Sequence, residues 1–94
     1  MYATIRSYSG SPGLTDALLD RESEVRQLIR EIDGFRAYYL VRPSEGEAVT
    51  ISVFEDQLGG QESIRRAAEW LNENLPDLSV SPPQVMAGEV VLSF

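Results

Sequence analysis

The chain has 94 residues, a net charge of −7, 43% hydrophobic and 9% aromatic residues, and neither cysteine nor histidine. This length and composition favour a single globular domain over residues 1–94 and exclude a disordered chain. The missing residue types exclude disulfides, thiolate nucleophiles and Cys/His metal sites, and the sequence shows no other metal-binding set. Fifteen acidic residues against eight basic ones, all arginine, argue against nucleic-acid binding.

The N-terminal segment Tyr2–Ser9 is rich in β-forming residues and predicts the first strand. It lacks the basic and apolar regions of a signal peptide, and no apolar run along the chain is long enough to span a membrane. We therefore expect a cytoplasmic protein with no membrane partner. The residues Ser9–Gly13 end this strand.

A helical stripe of apolar residues begins at Leu14 and ends at Gly34, the predicted C-cap. Two strands follow, at Phe35–Val41 and Ala48–Glu55. The turn residues 43–46 between them predict a hairpin.

A second helix begins near Gly59 and Gly60 and is stopped by Pro76, and Asp56 just before it is predicted to mark the helix entry. The last strand is predicted at Val85–Phe94. The order β-α-β-β-α-β is that of the ferredoxin-like α+β fold. It predicts a four-stranded antiparallel sheet with two helices on one face.

Side chains alternate between the two faces of a strand, which divides the strand residues into two sets. The more apolar set is expected to face the helices; it contains Ala3, Ile5, Phe35, Tyr39, Val41, Ile51, Val53, Val90 and Leu92. The second set contains Tyr2, Thr4, Arg6, Tyr8, Arg36, Tyr38, Leu40, Thr50, Ser52, Phe54, Ala87, Glu89 and Val91. This second set forms an exposed patch of aromatic and aliphatic side chains with only a few polar ones. Because small monomers seldom expose such a patch, it predicts a homodimer, packed sheet against sheet around a cavity. Tyr39 would then belong to the core and Tyr38 to the dimer cavity.

The second face supplies the candidate ligand-binding residues: Tyr2, Arg6, Tyr8, Tyr38, Ser52, Phe54 and Glu89, together with Trp70 from the second helix. The tyrosines could stack on an aromatic ligand or simply fill an interface. Arg6 could bind a phenolate or carboxylate, or could pair with Glu89. Trp70 could line the ligand or pack at the rim of the sheet.

The element order, Gly34-Phe35 with a small residue at position 37, and the run from Ile51 to Asp56 entering a helix resemble the dimeric α+β barrel superfamily. The branch that the chain resembles is that of the antibiotic-biosynthesis-monooxygenase-like domains. The resemblance implies relatives that are cofactor-free oxygenases of aromatic phenols, haem-degrading enzymes or proteins with no assigned activity.

The oxygenases of that superfamily are associated with a helix Trp and Asn near the cavity. Trp70 is the candidate counterpart of the Trp, but Arg66 stands one turn before it and only Asn74 follows on the same face. The haem-degrading members use a His ligand, which this chain lacks.

Two functions follow from these patterns. The first is a homodimeric barrel with an apolar pocket for a small aromatic or hydrophobic molecule, which would need no cofactor and, if it is an enzyme, would be monooxygenase-like. The alternative is a non-catalytic binding or interaction module that uses the same sheet face for dimerisation. The sequence leaves open whether the protein is catalytic.

Overall fold

The computed structural model describes residues 1–78 and 80–94. These residues form one four-stranded antiparallel sheet with the helices on one side. In chain order the elements are β1 (Tyr2–Tyr8), α1 (Leu14–Asp20), α2 (Glu22–Arg30), β2 (Phe35–Val41), β3 (Ala48–Phe54), α3 (Gln57–Asn74), a 3-10 helix (Pro76–Leu78) and β4 (Gln84–Glu89). The strands pair in the order β2-β3-β1-β4. This confirms the predicted ferredoxin-like α+β fold. Across the described residues, no helix combines the length and apolarity that crossing a bilayer requires.

The predicted first helix is two helices in the structure. Arg21, with φ −114° and ψ 31°, ends α1 and precedes α2. The apolar stripe continues through this break, because Leu18, at the end of α1, and Ile29, in α2, are both buried. Periodicity alone therefore could not locate the break.

The last strand is shorter than predicted and ends at Glu89. Glu89 lies opposite Tyr2, the first residue of β1, so the chain beyond it has no neighbouring strand to continue the ladder. A single bond from the Val90 N–H to the Met1 carbonyl, 2.8 Å long, follows the last strand pair. Val91 and Leu92, which were expected to lie on the two faces of the sheet, are instead exposed beyond its end.

α3 lies directly on the sheet because the two residues of its first turn that face the sheet, Gly59 and Gly60, have no side chains. Asp56 caps the helix by accepting a hydrogen bond from the Gly59 N–H at 3.2 Å, which confirms Asp56 as the helix-entry residue. A Cβ atom at Gly60 would lie 2.6 Å from Cδ1 of Tyr2 and 3.0 Å from Cγ2 of Thr4. The glycine pair thus sets how closely the helix approaches β1 and β3.

The assignment of the two sheet faces was wrong. Thr4, Arg6 and Tyr8 of β1, and every second residue of β3 from Ala48 to Phe54, are buried on the helix side. The more apolar set lies on the other side, which we call the open face. It comprises Ala3, Ile5, Ser7, Ala37, Tyr39, Val41, Val49, Ile51, Val53, Gln84, Met86 and Gly88. Most of the polar groups on the helix side can be buried because they find hydrogen-bond partners under α3, as those of Thr4, Arg6 and Thr50 do.

A β-bulge in β2 adds to this correction. Phe35 pairs with Phe54, but the register then shifts, so that Ala37 pairs with Val53. Phe35 therefore faces the helices, as expected, and Tyr38 faces them as well. Tyr39 is 58% exposed on the open face. The predicted roles of Tyr38 and Tyr39 are thus exchanged.

We expect Gly60→Ala to lower the free energy of unfolding by about 1–2 kcal/mol, because overpacking against Tyr2 and Thr4 outweighs the better helix propensity of alanine. Urea denaturation measures this change. Gly88→Ala is the control, since no atom lies within 4 Å of its added Cβ. An equal effect of both substitutions would contradict the close approach of α3.

Candidate functional site

A row of buried polar side chains lies between the sheet and α3. Thr4, Thr50, Ser52 and Ser63 are at most 2% exposed, and Arg6 is 2% exposed. The Arg6 Nε donates to the Thr50 Oγ1 at 2.9 Å, and its Nη1 donates to the Ser63 carbonyl at 3.4 Å. The arginine thereby connects β1 both to its neighbour β3 and to the helix above the sheet.

Arg6 does not form the predicted ion pair with Glu89. In the β1–β4 register Arg6 lies opposite Val85, whereas Glu89 lies opposite Tyr2 and is exposed. Four residues of strand separate the two positions, about 13 Å at the usual rise. No carboxylate of residues 1–78 or 80–94 lies within salt-bridge distance of Arg6.

A small void lies beside Arg6, between the sheet and the helices. Its volume is about 30 Å³, and its polar lining comes from Arg6, Tyr8, Tyr38, Thr50 and Trp70. The rest of the wall is apolar and comes from α1, α2 and α3. A void of this size holds about one water molecule.

Two larger grooves share lining residues with this void. The first, which we call the β2 groove, has a volume of about 390 Å³ and lies between α2 and β2, with Tyr38 in its wall. The second, the Arg6 groove, has a volume of about 330 Å³ and is lined by Arg6 and Tyr8. The remaining wall of the Arg6 groove consists of Ile64, Ala68, Leu71, Asn72, Leu75, Pro76, Val80, Ser81, Pro82, Pro83 and Val85.

Burial changes the acidity of the two tyrosines beside Arg6. Desolvation raises the pKa of Tyr8, and the charge of Arg6 partly opposes this rise. The pKa of Tyr38 is also raised, mainly by desolvation. Both phenols are therefore neutral at pH 7 and can donate a hydrogen bond as well as accept one.

Trp70 lines the void from α3, and its surroundings fix it in place. The Arg21 guanidinium lies 6.0 Å from the centre of the Trp70 ring and donates to the Asn74 Oδ1 at 3.2 Å. Asn74 in turn donates to the Trp70 carbonyl at 3.0 Å. Asn74 thus bonds to the helix and to Arg21 and does not line the void, although it shares the face of Trp70.

The structure brings half of the predicted ligand-binding residues together. Arg6, Tyr8, Tyr38 and Trp70 line one void, on the helix side of the sheet and not in the predicted sheet-to-sheet cavity. The remaining predicted residues lie elsewhere: Tyr2 under Gly60, Phe54 edge-on to Phe35 in the core, Glu89 on the surface, and Ser52 buried nearby with no hydrogen-bond partner for its Oγ among the described residues.

Sequence reasoning missed Ser63, whose carbonyl accepts from Arg6. Its own Oγ donates to the Gly60 carbonyl at 2.6 Å and lies 3.5 Å from the Thr4 Oγ1. The signal was present, because Ser63 follows Gly60 by three residues and so lies on the same helix face. Once the glycine pair is recognised as the sheet contact, a buried Ser63 follows.

The order of the elements and the pairing of the strands define an α+β protein with the fold of the antibiotic biosynthesis monooxygenases. No family model and no curated protein matches the sequence. The chain is similar in structure to a protein of unknown function from Nitrosomonas europaea (TM-score 0.76, 23% identity), over 99% of this chain and 91% of that one.

Two further solved structures share the fold. One is a candidate antibiotic biosynthesis monooxygenase from Deinococcus radiodurans (TM-score 0.75, 15% identity), over 100% of this chain and 96% of that one. The other is a monooxygenase from Streptomyces coelicolor in complex with Nanaomycin D (TM-score 0.65, 21% identity), over 98% of this chain and 92% of that one.

We expect Tyr8 and Tyr38 to ionise only above pH 10.0, the ordinary tyrosine value. Because their pKa is raised in the folded protein, their contribution to stability is complete below pH 10 and is lost as the pH rises through the raised pKa. The ultraviolet absorbance of tyrosinate, followed as the pH is raised, measures the ionisation of the two phenols. Tyr8→Phe and Tyr38→Phe should each remove part of the absorbance change that occurs above pH 10. Ionisation of either phenol at or below pH 10 would contradict the burial of the site.

Proposed function

We propose that the protein is a homodimer that binds a small aromatic or hydrophobic molecule between its sheet and its helices, in the Arg6 groove. One observation carries this proposal: the groove combines apolar walls with a buried cation and a buried phenol. Ligand pockets in proteins are mostly apolar, with a few polar groups that fix the orientation of the ligand. At about 330 Å³ the groove lies within the usual range of such pockets.

The open face supports the dimer. None of its residues carries a charge, and Tyr39 and Met86 are 58% and 69% exposed in the single chain. Small monomeric proteins seldom leave so apolar a surface in water, and a second copy packed sheet to sheet would cover it. The dimer interface and the ligand site then use opposite faces of the same sheet.

The shared fold suggests a monooxygenase-like reaction. In a cofactor-independent oxygenation of a phenol-activated CH₂ group, O₂ would give one oxygen atom to the new carbonyl and the other to water. The substrate itself would supply the electrons after deprotonation. Arg6 would stabilise the resulting oxyanion, and a neutral Tyr8 could hydrogen-bond to it.

A non-catalytic interaction module is the second candidate, and the size of the inner void favours it. At about 30 Å³ the void beside Trp70 cannot hold an organic substrate. The helix side of the sheet would then be an ordinary core, and the open face would be the functional surface. The two candidates predict different results when oxygen consumption is measured.

For the dimer, we expect twice the 10.5 kDa chain mass in analytical ultracentrifugation. Ile51→Glu should give monomers, because it places a charge among the apolar residues of the open face. Leu58→Glu is the matched control, since Leu58 is 75% exposed at the start of α3, away from that face. A wild-type monomer, or an unchanged Ile51→Glu dimer, would contradict the interface.

For catalysis, we expect oxygen consumption with a polycyclic phenol such as anthrone. Arg6→Met should lower kcat/KM about 100-fold, as the loss of an oxyanion-stabilising group does in other enzymes. Trp70→Phe should lower it less. The surface variant Arg42→Met should leave it unchanged, since Arg42 is half-exposed and paired with Asp16. If the wild-type protein consumes no oxygen above the rate in buffer, the interaction module is the better interpretation.

A further inference from the structure

Arg6 is a buried cation whose hydrogen-bonding capacity is only partly used. A guanidinium has five N–H donors, and in the described part of the chain Arg6 uses its Nε–H and one Nη1–H. Both acceptors, the Thr50 hydroxyl and the Ser63 carbonyl, are neutral. The bond to the Ser63 carbonyl is long, at 3.4 Å.

The protein supplies no negative charge to balance Arg6. Its other arginines with ion pairs form them at the surface, for example Arg36 with Glu55 at 3.1 Å and Arg42 with Asp16 at 2.7 Å. Arg6 has no such partner within the described residues, and the polar groups that share the inner void with it, Tyr8, Tyr38, Thr50 and Trp70, are all neutral. Burial of an unpaired charge is unfavourable unless another group compensates it.

The Arg6 groove is where a compensating group can enter. Arg6 lines this groove as well as the inner void, and the other lining residues in the described chain include no charged side chain. The overall charge of −7 would not attract anions to the surface as a whole. Any preference for an anion must therefore come from Arg6 itself.

From this geometry we infer that the ligand of the Arg6 groove is a small hydrophobic acid, whose oxyanion pairs with Arg6 while its apolar skeleton lies along α3 and residues 80–83. This inference rests on the proposed function and narrows it from hydrophobic molecules in general to monoanions with a carboxylate or ionised phenol. A planar carboxylate can accept two parallel N–H bonds from a guanidinium. The uncharged amide of the same skeleton cannot replace it as a counter-ion.

The test compares 2-naphthoate with 2-naphthamide, two probes of the same shape that differ in charge, by isothermal titration calorimetry on the full chain at pH 7. We expect the wild-type protein to bind the acid at least tenfold more tightly than the amide. The Arg6→Met variant should still bind the amide, but it should bind the acid no more tightly than the amide. Arg42→Met, which also removes one arginine charge but at the surface, should keep the difference.

A second measurement shows whether Arg6 is needed for folding. If the ligand is its counter-ion, Arg6→Met without ligand should melt at the same temperature as the wild-type protein or higher, because an unpaired buried charge has been removed. Added 2-naphthoate should raise the melting temperature of the wild-type protein but not that of the variant. A large fall in the melting temperature of Arg6→Met would show a structural role and overturn the inference.

The outcomes separate this inference from the proposed function. If the wild-type protein binds the amide as tightly as the acid, or if Arg6→Met keeps the preference, the pocket stands but the pairing of a ligand oxyanion with Arg6 is refuted. If neither probe binds at millimolar concentration, the pocket itself is refuted, and the inference fails with it.

Discussion

The burial of the Arg6 charge is the constraint around which the helix side of the sheet is arranged. Through Nε and Nη1 this one side chain joins β1, the neighbouring strand β3 and the helix α3. Its burial requires hydroxyl groups around it and a helix that lies close to the sheet. Thr50 supplies the first, and the Gly59-Gly60 pair allows the second. Arg6 lines both the inner void and the Arg6 groove, and burial beside it raises the pKa of Tyr8 and Tyr38.

The order β-α-β-β-α-β was predictable, because most of its elements have local signals: Gly34 after the first helical stripe, Asp56 and the glycine pair before α3, and Pro76 after it. The orientation of the sheet was not predictable in the same way. Alternation separates the strand residues into two sets, but it does not say which set faces the helices. The usual rule, that the more apolar set faces inward, fails here because Thr50 and Ser63 accept hydrogen bonds from Arg6 beneath α3.

Half of the residues predicted for the candidate site lie together in the structure, but the sequence did not predict the location of the site on the helix side of the sheet. Arg6, Tyr8 and Tyr38 were placed on one face by the alternation of side chains along their strands, and they do share a face and a void. The bulge between Phe35 and Ala37, which lets Phe35 and Tyr38 face the same side, has no marker in the sequence. The helix break at Arg21 likewise has no marker in the sequence. Both depend on packing between distant segments, and neither follows from local propensity.

Trp70 is the only tryptophan of the chain, and it lies where α3, Arg21 and the inner void meet. The guanidinium of Arg21 covers one part of the indole ring, and the void borders another. When tryptophan is excited selectively over the four tyrosines, the emission therefore comes from a single ring at the wall of this void. The native chain carries its own optical probe of this region and needs no attached dye.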